Sequence, residues 1–529
     1  MKMMTSNARV LASVAALLFV PCVSVSSAQD RPEVKTTLGI ARGTTENGVH
    51  VFKGLPYAAP PTGELRWART QAPRAWSGVR DASRFGNVCP QPVRPGYNEA
   101  DFAGREMSED CLTLNVWTTA LRPAKPRAVM VWILPGGFVS GDGGMAGYNG
   151  QALARQDVVT VTFNYRLGYL GQFAHPALSA TEPGNAIGNF YLSDQVAALH
   201  WVKDNIAAFG GDPDNVTIFG MSAGGVSVNY LLGLPASKGL FQKAISESSA
   251  LMPTRSRHIS QSSATTGRSL EADGTAMAQD LGAAAGGDDP KAALTALRAL
   301  PWKTILEYQS KHASGSLNPV IDGQYLPEPL GRIFSEGRQH AVPYMTGATS
   351  WEGSLLVSFF SKADPLLEVY GMSRDDVREL YGDVDERSVI NGLQFDTFFG
   401  SQRWLARQHL KIGQPTYLYR FDYVYEAERG TIAGARHGEE TPYVFKTLGK
   451  RVPVQPSAQD WAMSDIVSGY WVAFAKTGNP NGGQRPEWPR QSQDRDVLLN
   501  FAADGITAKD DFEKKRMMFF DAKYSSGQL

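Results

Sequence analysis

The segment Val216-Thr-Ile-Phe-Gly-Met-Ser-Ala-Gly-Gly225 decides the fold of this chain. Its first four residues are β-branched or aromatic and predict a buried strand, and the apolar run over residues 225–232 predicts a helix directly after it. Ser222 lies between them in a G-x-S-x-G pattern, whose glycines permit a tight turn. The pattern alone also fits an incidental serine in a glycine-rich turn. The strand–turn–helix context favours a nucleophile held above the edge of a sheet.

Strands and helices alternate along the chain on both sides of this turn. Three apolar runs have the length of buried strands, and they cover residues 112–118, 128–134 and 158–163. Residues 194–209 carry a helical pattern that Gly210 ends. Segments 37–41 and 49–52 predict an antiparallel hairpin near the N-terminus. The alternation predicts an α/β fold with a mostly parallel central sheet and helices on both faces.

The N-terminus has the features of a targeting segment. Lys2 and Arg9 precede an apolar run over residues 10–25, and small residues lead up to Ala28. Residues 1–28 therefore predict a secretory signal peptide cleaved near Ala28, and the mature protein is expected in the periplasm or outside the cell. The alternatives are an N-terminal membrane anchor and a lipoprotein attached through Cys22. The run is short for a stable membrane anchor, and the residues before Cys22 are not small.

Composition and length limit the remaining classes. The chain has 529 residues, 43% of them hydrophobic, and its 52 basic and 52 acidic residues balance. It therefore lacks the basic field expected for nucleic-acid binding. Residues 29–529 are expected to form a single catalytic domain. An Ala-rich stretch within about 255–340 predicts a helical insertion over the active site rather than a separate domain.

Two cysteines, Cys89 and Cys111, remain once Cys22 leaves with the signal peptide. An even number of cysteines in an exported protein favours a disulfide, and two unrelated buried thiols are the alternative. Closing a loop of about 20 residues stabilises a fold by roughly 3 kcal/mol in the chain-entropy description. No Cys/His cluster has the spacing of a metal site, so no metal is expected.

A serine nucleophile needs a base, and the base needs an acid that orients it. On a sheet with this turn the partners follow the serine along the chain, first the acid and then the histidine. His437 lies in a Gly-flanked polar loop, whereas His409 is expected on the solvated face of a helix. Glu352 follows a short strand over 343–348, although its position alone leaves other acids open. The remaining later histidines lie in the insertion or in polar, exposed runs, and they are His258, His312 and His340.

The oxyanion of the reaction needs backbone N–H donors. Gly136 and Gly137 follow the strong strand over 128–134, and Ala223 begins the helix after Ser222. These three residues are the candidate oxyanion hole, and a glycine-rich turn without a role is the alternative for the glycine pair.

Several long motifs resemble the type B carboxylesterase family, which includes the cholinesterases. In chain order they are F-K-G-L-P-Y-A-A-P-P-T-G-E-L-R-W (52–67), S-E-D-C-L-T-L-N-V-W (108–117), the run from 194 to 225, and Y-W-V-A-F-A-K-T-G-N-P-N (470–481). The resemblance implies an α/β-hydrolase fold and hydrolysis of small-molecule carboxylic esters without a cofactor. It also implies specific residues: a triad of Ser222, Glu352 and His437, oxyanion donors Gly136, Gly137 and Ala223, and a disulfide between Cys89 and Cys111. Ser248 and Glu440 resemble supporting positions near the triad and equally fit ordinary buried hydrogen-bonding groups.

Three departures from the family pattern concern the substrate. Pro135 replaces the first glycine of the usual G-G-G-F segment and has no N–H to donate. Met221 stands before the nucleophile, where the family often has glutamate. The loop between the two cysteines has no Trp for a cation–π contact, which argues against a choline ester.

The same loop offers Arg94 and Arg105 as tentative substrate contacts, beside Tyr97 and Phe102. With Met221, these arginines suit an anionic ester, such as the polycarboxylate esters of fumonisin-type mycotoxins that some relatives hydrolyse. Two solvated arginines are the simpler alternative. A lipase, with the insertion as its lid, and a non-catalytic cholinesterase-like binding module are further alternatives. The chain keeps all three triad candidates, which argues against the binding module.

Overall fold

The computed structural model describes residue 1 and residues 31–93, 99–250, 256–263, 266–283, 289–312, 317–355, 362–450 and 454–529. Residues 2–28 of the predicted signal peptide lie outside these ranges, as do Arg94 and Tyr97. Within the described ranges, no helix is both long enough and apolar enough to cross a membrane.

Fourteen strands lie in the described part of the chain and form two sheets. They are β1 (Glu33–Thr36), β2 (Gly39–Arg42), β3 (Thr44–Glu46), β4 (Val49–Pro56), β5 (Val79–Asp81), β6 (Thr113–Thr118), β7 (Arg127–Ile133), β8 (Val159–Phe163), β9 (Gly211–Met221), β10 (Lys243–Glu247), β11 (Tyr344–Thr349), β12 (Thr416–Phe421), β13 (Val497–Ala502) and β14 (Gly505–Asp510).

The large sheet has eleven strands in the order β14-β13-β12-β11-β10-β9-β7-β8-β6-β4-β3. Its central strands, from β13 to β8, pair in parallel, and antiparallel pairs close both edges. Strand β9 pairs with β7 on one side and β10 on the other. From β9 onward the chain adds strands toward the opposite edge, so β9 lies where the winding direction changes. In open α/β sheets such a switch point is where ligands bind.

The helices of the described ranges cover both faces of this sheet. They are α1 (Glu99–Phe102), α2 (Gln151–Ala154), α3 (Gly168–Gly171), α4 (Pro176–Thr181), α5 (Phe190–Asn205), α6 (Ala223–Gly233), α7 (Leu270–Asp280), α8 (Pro290–Ala299), α9 (Trp302–His312), α10 (Leu330–Ser335), α11 (Asp364–Tyr370), α12 (Arg374–Tyr381), α13 (Glu386–Leu410), α14 (Glu440–Phe445), α15 (Ala458–Thr477) and α16 (Lys514–Ser525). The predicted strands and the helix before Gly210 are confirmed, each within a few residues.

The hairpin predicted from segments 37–41 and 49–52 is wrong in its pairing. Strand β2 pairs with β1 and β5 in a separate three-stranded sheet, whereas β4 pairs with β3 and β6 in the large sheet. Two tight turns lie in this region instead of one. The second is Asn47-Gly48, a dipeptide that accepts the positive φ of a hairpin turn, with φ values of 51° and 77°.

The region predicted as a helical insertion contains α7, α8, α9 and α10. The apolar faces of its first three helices pack on a second hydrophobic cluster that contains Trp67, Phe173 and Phe190. Trp67 and Phe173 stack with their ring centroids 4.0 Å apart. The insertion is thereby packed on α5 and on the segment around the family's opening motif.

Candidate active site

Ser222 occupies a strained turn between β9 and α6. Its φ of 56° and ψ of −122° lie outside the regions that L-residues usually adopt. The turn is held by the Ser222 N–H, which donates to the Glu247 carbonyl at 2.8 Å. A Cβ on Gly224 would lie 2.0 Å from the Ile133 carbonyl oxygen, so only glycine fits there. The strand–turn–helix prediction is confirmed.

Glu352 and His437 meet beside the C-terminal end of β11. Glu352 begins a short 3₁₀ turn just after that strand, and His437 lies in the loop that leads from β12 to α14. The Nδ1 of His437 forms a short hydrogen bond with Oε2 of Glu352, while Oε1 of Glu352 accepts from the Thr349 N–H at 2.8 Å. The His437 N–H donates to the Ser354 hydroxyl at 2.9 Å, which ties the two loops together.

This contact defines the tautomer of the imidazole. A carboxylate only accepts hydrogen bonds, so the proton lies on Nδ1 of His437 and Nε2 is left as an acceptor in the neutral ring. Both side chains are buried, with 6% of His437 and 0% of Glu352 exposed. Phe398 packs edge-on against the imidazole, at 5.0 Å between ring centroids. A base oriented in this way can take a proton from a hydroxyl and return it to a leaving group.

A further buried carboxyl group, that of Glu440, interacts with this pair. Glu440 accepts hydrogen bonds from the hydroxyl groups of Ser248, at 3.0 Å, and Tyr419, at 3.2 Å. Burial raises the pKa of the Glu440 carboxyl, and the charge of Glu352 raises it further. Ser248 and Glu440, the supporting positions of the family resemblance, are thus in direct contact.

Glu247 is the residue of this region that the sequence analysis missed. It is the last residue of β10, and its carboxyl accepts from the Trp471 indole N–H at 2.6 Å. Burial, followed by the charge of Glu440, raises the pKa of Glu247 well above its usual range. An acidic residue in the otherwise uncharged run Ala-Ile-Ser-Glu-Ser-Ser was the available signal. Its backbone carbonyl also accepts from the Ser222 N–H, so the same residue helps to hold the turn at Ser222.

The glycines of the candidate oxyanion hole follow β7 in a loop with positive φ values. Gly136 has φ 115° and Gly137 has φ 64°. A Cβ on Gly136 would lie 1.8 Å from the Ser140 carbonyl oxygen, so no other residue fits at this position. Among the described residues, none accepts a hydrogen bond from the N–H of either glycine. Ala223 is the first residue of α6, where an N–H has no partner within the helix.

The disulfide between Cys89 and Cys111 is confirmed, with a Cα–Cα distance of 5.1 Å. Within its loop, Arg105 donates to both carboxylate oxygens of Asp142, at 2.5 and 3.0 Å, and to the Gly86 carbonyl at 2.8 Å. These bonds occupy the Arg105 guanidinium and favour a structural role for it over the tentative substrate contact. Arg94, the other tentative contact, lies outside the described residues.

The expectation that His409 lies on a solvated helix face is wrong. His409 is fully buried on α13, and its Nε2 donates to the Val342 carbonyl at 2.8 Å. Burial lowers its pKa to about 4, so the ring is neutral at physiological pH. The helix is covered on more than one side, because β11 and α16 both pack against it. His409 is therefore a packed core histidine.

Together, the winding of the large sheet, the serine turn at its switch point and the buried Glu352–His437 pair define an α/β-hydrolase. The chain belongs to the carboxylesterase family, whose profile matches residues 30–393 and 384–520. It is an enzyme that hydrolyses carboxylic esters.

Three comparisons illustrate this membership. The chain is 33% identical to the fumonisin B1 esterase of Sphingopyxis macrogoltabida over 503 residues, which cover 91% of this chain and 89% of that protein. It is 35% identical to the para-nitrobenzyl esterase of Bacillus subtilis (strain 168) over 507 residues, covering 93% and 99%. A solved structure of a PNB esterase superposes with a TM-score of 0.79 at 33% identity, covering 93% of this chain and 99% of that one.

Proposed function

We propose that this esterase works through a triad of Ser222, His437 and Glu352. The observation that carries the proposal is the buried hydrogen bond from His437 Nδ1 to Glu352, which leaves Nε2 as the basic nitrogen. The strained turn at Ser222 supports the nucleophile assignment, because such strain persists where the surrounding structure needs it.

The reaction follows in two halves. Ser222 Oγ attacks the ester carbonyl carbon while His437 Nε2 takes the hydroxyl proton. The N–H groups of Gly136, Gly137 and Ala223 bind the oxyanion of the tetrahedral intermediate, and each such donor is worth about 3–4 kcal/mol in the transition state. The intermediate then collapses, the carbon–oxygen bond to the alcohol breaks, and Nε2–H protonates the leaving oxygen. Water attacks the acyl group with the same proton transfers, which releases the acid and restores Ser222.

Trapping the acyl group tests this mechanism. We expect a rapid burst of one p-nitrophenol per enzyme when p-nitrophenyl butyrate is mixed with wild-type protein and the reaction is followed on the millisecond timescale. Mass spectrometry after acid quenching should locate the butyryl mass on the peptide that carries Ser222. A butyryl group on another residue would contradict the assignment.

We further propose that residues 29–529 act as one exported catalytic domain after loss of residues 1–28. The large sheet supports a single domain, because its strands run from Thr44 to Asp510. The helices within about 255–340 support an insertion packed on that domain. The disulfide supports export to an oxidising compartment.

A second candidate is preference for anionic esters. Met221 adds no negative charge next to Ser222, and a relative that covers most of the chain is a fumonisin B1 esterase. The guanidinium of Arg105 is already hydrogen-bonded within the protein, which weakens the argument that this arginine binds an anionic substrate. Other cationic side chains would have to bind the carboxylates of such a substrate.

A substrate panel separates these candidates. For a neutral-ester enzyme, we expect similar kcat/KM for p-nitrophenyl pentanoate and for the mono-p-nitrophenyl ester of glutaric acid, which have similar length. An anionic preference would make the glutarate at least tenfold better, and 0.5 M salt would reduce the difference because it screens charges. Extending the series from acetate to palmitate adds the test for a lipase. An optimum at long chains with activation at an oil–water interface would favour that alternative.

A further inference from the structure

Gln91 forms a two-bond clamp on the backbone next to the oxyanion glycines. Its Nε2 donates to the Gly141 carbonyl at 2.8 Å, and its Oε1 accepts from the Gly141 N–H at 2.7 Å. The side chain is 1% exposed. Nε2 also lies 3.1 Å from the Cys89 carbonyl, within the same disulfide loop. The N–H and the carbonyl of Gly141 are therefore both bonded to one side chain, which lies two residues after Cys89 of the disulfide.

Gly141 closes the loop that carries Gly136 and Gly137. A Cβ on Gly141 would lie 2.7 Å from the Pro135 carbonyl oxygen and 2.6 Å from the Leu134 side chain, so its backbone lies directly against the start of the loop. Across the loop, the Ser140 N–H donates to the Gly136 carbonyl at 3.1 Å. Residues 135–141 thus form a closed ring whose backbone is tightly packed at Gly136 and Gly141, and we expect a shift of Gly141 to move the two glycines.

The disulfide loop makes a second contact at the next residue. Asp142 is fully buried, and its carboxylate pairs with Arg105 of the loop, at 2.5 Å. The same carboxylate accepts from the Gly144 N–H at 2.7 Å and from Asn164 Nδ2 at 2.9 Å. Gln91 and Arg105, near opposite ends of the Cys89–Cys111 loop, therefore hold two consecutive residues that follow the oxyanion glycines.

We infer that the disulfide loop is a positioning element for the oxyanion hole and that Gln91 is its main positioning residue. Gln91 acts through Gly141 on the N–H groups of Gly136 and Gly137. The inference rests on the proposed role of these two glycines. An error of about 1 Å in a catalytic group can reduce the rate about 100-fold, so a loosened ring affects turnover more than substrate binding.

The main test replaces Gln91 with methionine, which keeps most of the volume and removes the two hydrogen bonds to Gly141 together with the one to the Cys89 carbonyl. We expect kcat for p-nitrophenyl butyrate to fall about 100-fold with KM changed less than twofold. The inhibition constant of a trifluoromethyl ketone, whose adduct with the serine carries an oxyanion, should rise by the same factor. Binding of the methyl ketone of the same chain, which stays unreacted, should not change. The matched control is Gln71→Met, since Gln71 is exposed and its side-chain amide, within the described part of the chain, bonds only to the Arg69 carbonyl.

A second variant gives a pH readout that a purely structural role would not produce. A protonated carboxyl keeps one donor and one acceptor, which suffice for the two bonds to Gly141, whereas an ionised one cannot donate to the Gly141 carbonyl. The ratio of kcat for Gln91→Glu to kcat of wild type should therefore rise as the pH falls from 8 to 5.5. If Gln91→Met does not fold, the test uses two other measurements. They are this ratio and the change in kcat when the disulfide is reduced in folded wild-type protein.

Loss of melting temperature in Gln91→Met, with kcat and ketone inhibition unchanged, would overturn the inference and leave Gln91 as a packing residue. So would a pH-independent ratio for Gln91→Glu. Failure of the proposed triad is visible separately, because wild-type protein would then not carry the butyryl group on Ser222.

Discussion

Replacing Ser222 with alanine is expected to reduce kcat for p-nitrophenyl butyrate about a million-fold, the size of effect seen when a serine nucleophile of a triad is removed. The variant keeps the oxyanion donors and the substrate pocket, so KM should change little. A residual rate about a thousand-fold above the uncatalysed reaction is expected from those groups alone. The measurement is initial-rate kinetics with purified protein, checked for wild-type contamination by titration with an irreversible phosphonate.

Ser310→Ala is the matched control for this variant. Ser310 is exposed, and among the described residues its hydroxyl donates only to the Glu307 carbonyl of its own helix. Its kcat should equal that of wild type. A Ser222→Ala enzyme with a tenth of the wild-type activity would exclude Ser222 as the nucleophile and move attention to another hydroxyl group.

The second large effect is expected for Glu352→Gln, with a fall in kcat of about 10⁴-fold. The amide has the shape of the carboxyl, but its NH₂ group can donate to His437 Nδ1. Donation to Nδ1 moves the ring proton to Nε2, which then cannot accept the Ser222 proton. The amide also lacks the charge that stabilises the imidazolium. Rates are measured over pH 6 to 9, so that a shift of the pH optimum is not mistaken for a loss of activity.

Glu440→Gln is the matched control, because it makes the same chemical change at a second fully buried glutamate. Glu440 bonds to Ser248 and Tyr419 rather than to the imidazole, so its loss should reduce kcat less than tenfold. Equal losses in the two variants would mean that His437 is not oriented by Glu352 in particular.

The parts of the site that the sequence predicted are those in which local geometry demands particular residues. The turn at Ser222 needs glycine because of close backbone contacts, and the oxyanion loop needs Gly136 for the same reason. Such requirements are visible in a short segment. The proposed acid, Glu352, was separable from other acidic residues mainly through longer motifs, since an acidic residue after a strand is common.

The errors came from contacts between distant segments. A helical pattern does not reveal that α13 is covered by both β11 and α16, which is why the burial of His409 was missed. Segments 37–41 and 49–52 both have strand character, but the partner of each strand depends on β1, β5 and β6. The contact of Gln91 with Gly141 joins residues 50 positions apart and has no local signal.

The crowded carboxyl groups around the Glu352–His437 pair imply a conflict between activity and stability. Glu352, Glu440 and Glu247 are all fully buried, and the charge of Glu352 disfavours ionisation of Glu440, which in turn disfavours ionisation of Glu247. The folded protein must therefore keep these carboxyl groups away from water, either as neighbouring negative charges or in the protonated form. Selection for heat resistance alone would favour amides at these positions, including that of Glu352, the proposed catalytic acid. Directed evolution of this esterase should accordingly screen for turnover in every round and seek added stability far from this cluster.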